Sequence, residues 1–317
     1  MINDVYRLLV ERKQDLVRKV ALTQTDWAKK FEEVSSKEWV NFCPDPDPRL
    51  SVTAVDGGMW LTETRAGAVF AVDAAAVSGR GIDWNLSDSM AEVGFLSPGN
   101  DAREMVSLFM EILELKLALR SLEKTDLVLM DGSVKKKSER SQGALQTLDA
   151  LDLNGLEALK GKDERETYEI ALSEHRKSLI ELLARREKVL WVSKKSKSTE
   201  IFNSGYPDQT ILEIVTEECG YTKPRKIELK FLPSPMYYSF VRLRKGAHVL
   251  RIDFSGDESA LRGFIAVLRA VEVAGYPVQL LQAHKLARFS KSDRKKLMTT
   301  LSVLPRRKTE WIPRSFK

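Results

Sequence analysis

Apolar residues recur at helical spacing through the first forty positions, at Val5, Leu8, Leu9, Leu16, Val17 and Val20, with charge between them. This pattern predicts a long N-terminal helix, an N-terminal helical region over residues 1–42. CPDPDPRL (43–50) ends it, because proline lacks the backbone donor and restricts its predecessor. Strand signals follow. SVTAVDGGMW (51–60) is β-branched and carries paired glycines, and AGAVFAVDAAAVSG (66–79) is a continuous apolar run of the kind a buried strand shows. A weaker extended segment covers 90–97. Residues 102–124 return to helical spacing with strong helix formers. DLVLMDGS (126–133) reads as a short buried strand and a turn.

The stretch 134–188 is polar and mostly helical, with a basic run at Lys135–Lys137 and a long amphipathic helix over 163–188. VLWVSKK (189–195) is a strand, and 196–226 reads as a loop with short helices. Residues 236–254 form a hairpin turning at Lys245–Gly246. A helix over 257–275 is expected to end on Gly275 as its C-cap, with Pro277 blocking continuation. A last helix covers 278–290. Strands and helices interleaved in this way predict an α/β or α+β mixed sheet.

The chain has 317 residues, 43% hydrophobic and 30% charged, and no run reaches the ~20 apolar residues of a membrane span. Its first residues are charged and lack an apolar signal core, so a cytoplasmic protein is expected. Cys43 and Cys219 belong to no CxxC pair, so neither a zinc site nor a disulfide is expected of them. The net charge of +6 is unevenly placed. Residues 284–317 hold eleven Lys/Arg against two Asp/Glu, leaving the rest of the chain slightly acidic. A basic tail over 291–317 suits a polyanion such as nucleic acid, and its Trp311 and Phe316 suit stacking on bases.

Asp56 and Asp131 each close an apolar run and precede glycine. A lone ionised carboxylate is costly to bury there unless it is paired or bound to a cation. Each Asp-Gly taken alone reads as a turn. Taken together, with a glutamate on the helix between them, they read as an oxygen cluster suited to magnesium or manganese. Glu114 is assigned to that cluster and Glu111, three residues before it, is held in reserve. Of the three histidines, His175 reads as a surface residue, His248 has no evident partner, and His284 stands at the start of the basic region. Lys194 ends a strand, where it can reach a phosphate.

The ordered set AVDGG (54–58), LMDGS (129–133), VSKKSKS (192–198), LRIDF (250–254) and GYPVQLLQAHKLA (275–287) resembles the NurA nucleases. These work with the HerA hexameric DNA translocase. The resemblance covers about 52–290. It implies a ribonuclease-H-like mixed sheet flanked by helices, a nuclease domain over 51–290 with a helical insertion at 134–188. That insertion is a candidate for dimer contacts or translocase docking. It implies metal ligands at Asp56, Glu114, Asp131 and His284, an active-site tyrosine at Tyr276 and a basic position at Lys194. It further implies manganese or magnesium, two ions per site, 5′-to-3′ exonuclease and single-strand endonuclease activity on single strands and duplex ends. A homodimer and a role in DNA end resection and recombinational repair complete the expectation. Two rivals remain. One is an ATPase of the actin kind, with Asp-Gly phosphate loops. The other is a non-catalytic subunit that binds DNA or the translocase.

Overall fold

Two thirteen-residue strands, Val52–Thr64 (β2) and Gly67–Gly79 (β3), pair antiparallel along their whole length. The computed structural model describes residues 2–64, 67–96, 101–140, 142, 164–229 and 235–302. β2 runs straight through Gly57 and Gly58, so Asp56 lies inside a strand and not at a turn. Asn85–Leu96 (β4) adds antiparallel to β3 and begins earlier than its sequence suggested. On the other side of β2, Leu127–Asp131 (β5) pairs parallel to it, and Val189–Ser193 (β6) pairs parallel to β5. The resulting order β4-β3-β2-β5-β6 is the ribonuclease-H-like arrangement.

The sheet continues beyond β6. Met236–Arg242 (β9) and Leu250–Phe254 (β10) form the expected hairpin, and Gly246 takes a positive φ of 70° in its turn. β10 pairs antiparallel to β6, and Trp39–Asn41 (β1), Gly220–Thr222 (β7) and Arg225–Ile227 (β8) extend the far edge. These three short strands fall in segments whose sequence suggested loop or helix. They are three residues each, too short to show a period.

Helices cover both faces. Ala102–Ser121 (α2) lies on one face, burying Phe109, Ile112 and Leu115. Glu164–Ala184 (α4) packs on α2 through Leu179, Leu182 and Leu183. This helix belongs to the stretch read as an insertion, yet it closes the core behind α2. His175 on α4 is therefore fully buried and not on the surface as expected. Residues 143–163 lie outside the described residues. The opposite face is covered by Glu258–Ala270 (α6) and Val278–Ala287 (α7), through Leu261, Ile265, Leu268, Leu280 and Ala283.

Ile2–Glu38 (α1) is helical as read. Its apolar stripe, Val5, Leu8, Leu9, Leu16 and Val17, is exposed, and the helix is anchored near its end, where Phe31 meets Phe202 edge-on at 5.2 Å. Asp257 caps α6 by accepting from the Ala260 amide. α6 stops at Ala270, short of the expected Gly275. Glu272–Val273 (β11) and Tyr276–Pro277 (β12) instead form a tiny hairpin whose turn is Ala274 and Gly275, both with positive φ. Gly275 is thus a hairpin glycine and not a helix cap.

The cysteines also differ from expectation. Cys43 and Cys219 form a disulfide, with Cα atoms 5.5 Å apart. β1 pairs with β7 at Asn41↔Gly220, so the two residues just outside that pair meet although 176 positions separate them. The basic tail begins as helix, Lys291–Ser302 (α8), and residues 303–317, including Trp311 and Phe316, lie outside the described residues. Among the described residues, no helix is long and apolar enough to cross a membrane.

Candidate active site

Strand alternation decides which face each residue of β2 presents. Val52 and Ala54 enter the core under α6 and α7, so Asp56 points to the same side. Its residue is only 5% exposed. Oδ1 accepts from the Gly57 amide at 2.8 Å and Oδ2 meets His284 Nδ1 of α7 at 2.7 Å. Burial raises the Asp56 carboxyl above the usual range, Asp131 adds repulsion, and His284 pulls the other way. The parallel register Val55↔Met130 brings Asp131, the last residue of β5, alongside Asp56. Gly132 follows with φ 96°, donating its amide to the Val192 carbonyl at 3.0 Å and turning the chain away.

The β11–β12 hairpin delivers Tyr276, whose hydroxyl donates to Asp131 Oδ1 at 3.5 Å. Burial, then the charges of Asp131 and Asp56, push the phenol far up, so it stays protonated and a donor. Lys194, the residue after β6, places its ammonium 4.4 Å from the centre of the Tyr276 ring. Asp56, Asp131, Tyr276, His284 and Lys194 are therefore brought together. Beside Asp131 opens a cavity of about 580 Å³ whose walls include Ser133, Lys135, Lys136, Lys194 and Lys195. That lining attracts anions.

Glu114 approaches from the opposite face. Its Oε1 lies over the backbone of Gly57, where an added Cβ would stand 2.7 Å away. Glycine at 57 is thus the residue that lets α2 and its carboxylate come this close to β2. Burial pushes Glu114 up to about 7 against the pull of Lys137, with Asp56 adding repulsion. Glu114 Oε2 is held by Lys137 of the helix Val134–Arg140 (α3). Glu111 is occupied otherwise: Arg140 donates to it at 2.6 Å and His175 meets it at 3.1 Å. It is half-buried, which disfavours its charge, but Lys137 and these partners hold it down at about 2. His248 is exposed and meets Glu213 at 3.2 Å, away from the carboxylates.

Three charged residues escaped the sequence reading. Lys137, which the sequence offers only as the last of the basic run 135–137, is buried. Asp73 sits opposite Gly58 on β3, and burial is the chief cause that raises its carboxyl to about 7. It carries the signature of Asp56, a carboxylate inside an apolar strand, and that signal was available. Asp253 on β10 is fully buried. It accepts from Ser133 Oγ at 2.8 Å, the Val134 amide at 3.1 Å and Arg251 Nε at 2.7 Å. It therefore ties down the loop that leaves Asp131.

The donor set suits a hard divalent cation. Two carboxylates sit side by side with an imidazole on one of them, and their mutual repulsion is what a cation relieves. Among the described residues, no three His, Cys, Asp or Glu side chains are gathered into a closed ligand set.

Residues 50–289 match the NurA domain family. The chain is 33% identical over 99% of its length to the DNA double-strand break repair nuclease NurA of Sulfurisphaera tokodaii, 99% of which is covered. This chain belongs to the NurA family. The crystal structure of the NurA nuclease from Sulfolobus solfataricus superposes with a TM-score of 0.82 at 30% identity, covering 96% of this chain and 97% of that one. A crystal structure of NurA with manganese shares the fold, at a TM-score of 0.62 and 13% identity over 92% of this chain and 99% of that one. Membership in the NurA family decides against an ATPase of the actin kind.

Proposed function

We propose that this NurA protein is a divalent-metal-dependent DNA nuclease with its centre at Asp56 and Asp131. The observation that supports this best is the pair of strand-borne aspartates, Asp56 buried and Asp131 half-buried, in register on neighbouring parallel strands, with His284 on one and Tyr276 on the other. Asp56, Asp131 and His284 would hold manganese or magnesium, and Glu114 would complete a set able to take two ions. Bound there, such ions supply phosphate neutralisation and an acidified water. Asp56 fixes the half-exposed His284 ring through Nδ1, so its other nitrogen serves as the late metal ligand or, in place of that role, passes a proton. Tyr276 offers its hydroxyl proton to oxygen at Asp131, and Lys194 sets a positive charge where a scissile phosphate would lie. The lysine-lined cavity beside Asp131 suits the phosphates of the strand being cut.

The finer reading follows the family resemblance. It comprises 5′-to-3′ exonuclease and single-strand endonuclease action, a homodimer, a cytoplasmic location, and work with a HerA-type translocase in DNA end resection. Strands labelled at either end, digested with and without the translocase, test polarity and dependence. Removal of everything after Ser290 separates nuclease from binding subunit. A nuclease keeps metal-dependent cutting, whereas a protein that only binds DNA or translocase through the tail loses its activity altogether.

A further inference from the structure

Lys137 stands where a cation is needed. α3 starts two residues after Gly132, so the segment that delivers Asp131 also carries Lys137 into the space between α2 and β2. Its ammonium touches Glu114 Oε2 and lies 3.9 Å from Glu111 Oε2. The lysine side chain is 10% exposed and that of Glu114 7% exposed, so neither charge is well served by water. Glu111 is also claimed by Arg140 and by His175 of α4. Among the described residues Glu114 has no such second cation, and its other oxygen faces the Gly57 backbone beside Asp56. A carboxylate neutralised by an ammonium is a poorer donor to a divalent ion, and a fixed positive charge this close, in a site that excludes water, repels a second one.

Resting on the metal-dependent reading above, we infer that Lys137 is a built-in counter-cation for Glu114, a positioning residue that splits metal binding into two unequal steps. Asp56, Asp131 and His284 take the first ion with Lys137 in place. Glu114 becomes a full ligand for a second only when it leaves Lys137. Glu111 sets the balance, since it competes with Glu114 for the same ammonium. Removing the Glu111 charge tightens the hold of Lys137 on Glu114, whereas removing the Lys137 charge frees Glu114.

The test is a manganese titration of the full-length protein without DNA, counting free manganese by its electron paramagnetic resonance signal. Wild-type protein is expected to bind one ion tightly and a second at least roughly tenfold more weakly, or not at all within the titration. Lys137→Gln should raise the affinity for the second ion about tenfold, Glu111→Gln should lower it, and Lys137→Arg should restore the wild-type separation. Manganese should also raise Tm more in Lys137→Gln than in wild type, because binding stabilises the folded state. Two equal ions in wild type, or a second affinity that Lys137→Gln leaves unchanged or lowers, would overturn the inference. If Lys137→Gln does not fold, Glu111→Gln decides: an unchanged or stronger second site refutes it. Asp56→Ala should lose the first ion. If Asp56→Ala keeps both ions, the metal reading of the site fails instead.

Discussion

A methyl group at Gly58 gives a sharp test of how the site is assembled. A Cβ built there would lie 1.7 Å from the carbonyl oxygen of Ala287 and 2.7 Å from Asp73 Oδ1. An ordinary carbon–oxygen contact is about 3.3 Å, so the gap must open by ~1.6 Å. The obstacle at Ala287 is backbone and cannot swing aside as a side-chain tip would. α7 must therefore move off β2. His284 lies one turn before Ala287 on that helix, and its 2.7 Å contact with Asp56 moves with it. Overpacking of this kind costs about 1–3 kcal/mol. A catalytic group misplaced by ~1 Å costs on the order of a hundredfold in rate. Gly58→Ala is thus predicted to lose about two orders of magnitude in manganese-dependent cleavage while Tm falls by only a few degrees. Gly263→Ala is the control: it is exposed on α6 with nothing within 4 Å of its added Cβ. It should gain about 0.5–1 kcal/mol from helix propensity and keep its activity. Wild-type cleavage by Gly58→Ala would show that β2 and α7 do not meet as described.

Asp253→Ala leaves Arg251 buried without its partner and frees the Ser133 hydroxyl and the Val134 amide, so a loss of about 3–5 kcal/mol is expected in urea unfolding. Ser133→Ala alone should cost about 1 kcal/mol and nothing further once Asp253 is gone, a coupling that a double-mutant cycle measures. Asp73 is raised to about 7 by burial, so its protonated form is the one the fold favours. The stability it contributes is complete below its unfolded value near 4 and is lost as pH rises through about 7. Asp73→Asn, which stays neutral, should therefore gain on wild type between pH 4 and 8 in EDTA. Partial exposure reduces the gain to about 1–2 kcal/mol. A constant difference across that range would contradict the burial argument.

Much of this architecture was legible because the strands and helices that form the core repeat their apolar residues at clear periods. β2, β3, β5, β6, the β9–β10 hairpin, α2 and α4 all came from that signal. Asp56 and Asp131 were legible because a carboxylate inside or at the end of an apolar run demands an explanation. What stayed hidden depends on contacts distant in sequence. His175 sits in a heavily charged helix, and only the packing of α4 on α2 turns its face inward. Nothing local sets Lys137 apart from its neighbours in the basic run 135–137 until α3 is seen to bring it to Glu114. The Cys43–Cys219 bond follows from the pairing of β1 with β7, two three-residue strands that no local pattern marks. The expectation of no disulfide rested on the absence of a CxxC pair, and local spacing carries no signal for two cysteines that stand 176 positions apart. Gly275 was misread because a glycine after an apolar helix fits a cap and a hairpin turn equally well.

The most direct test of the central claim compares wild-type and Asp56→Ala protein on end-labelled single-stranded DNA, each with manganese, magnesium or EDTA. Cleavage by wild type that needs the metal and vanishes in a folded Asp56→Ala protein is the predicted result. Cutting at the wild-type rate by Asp56→Ala, or cutting that persists in EDTA, would contradict a metal centre built on Asp56 and Asp131.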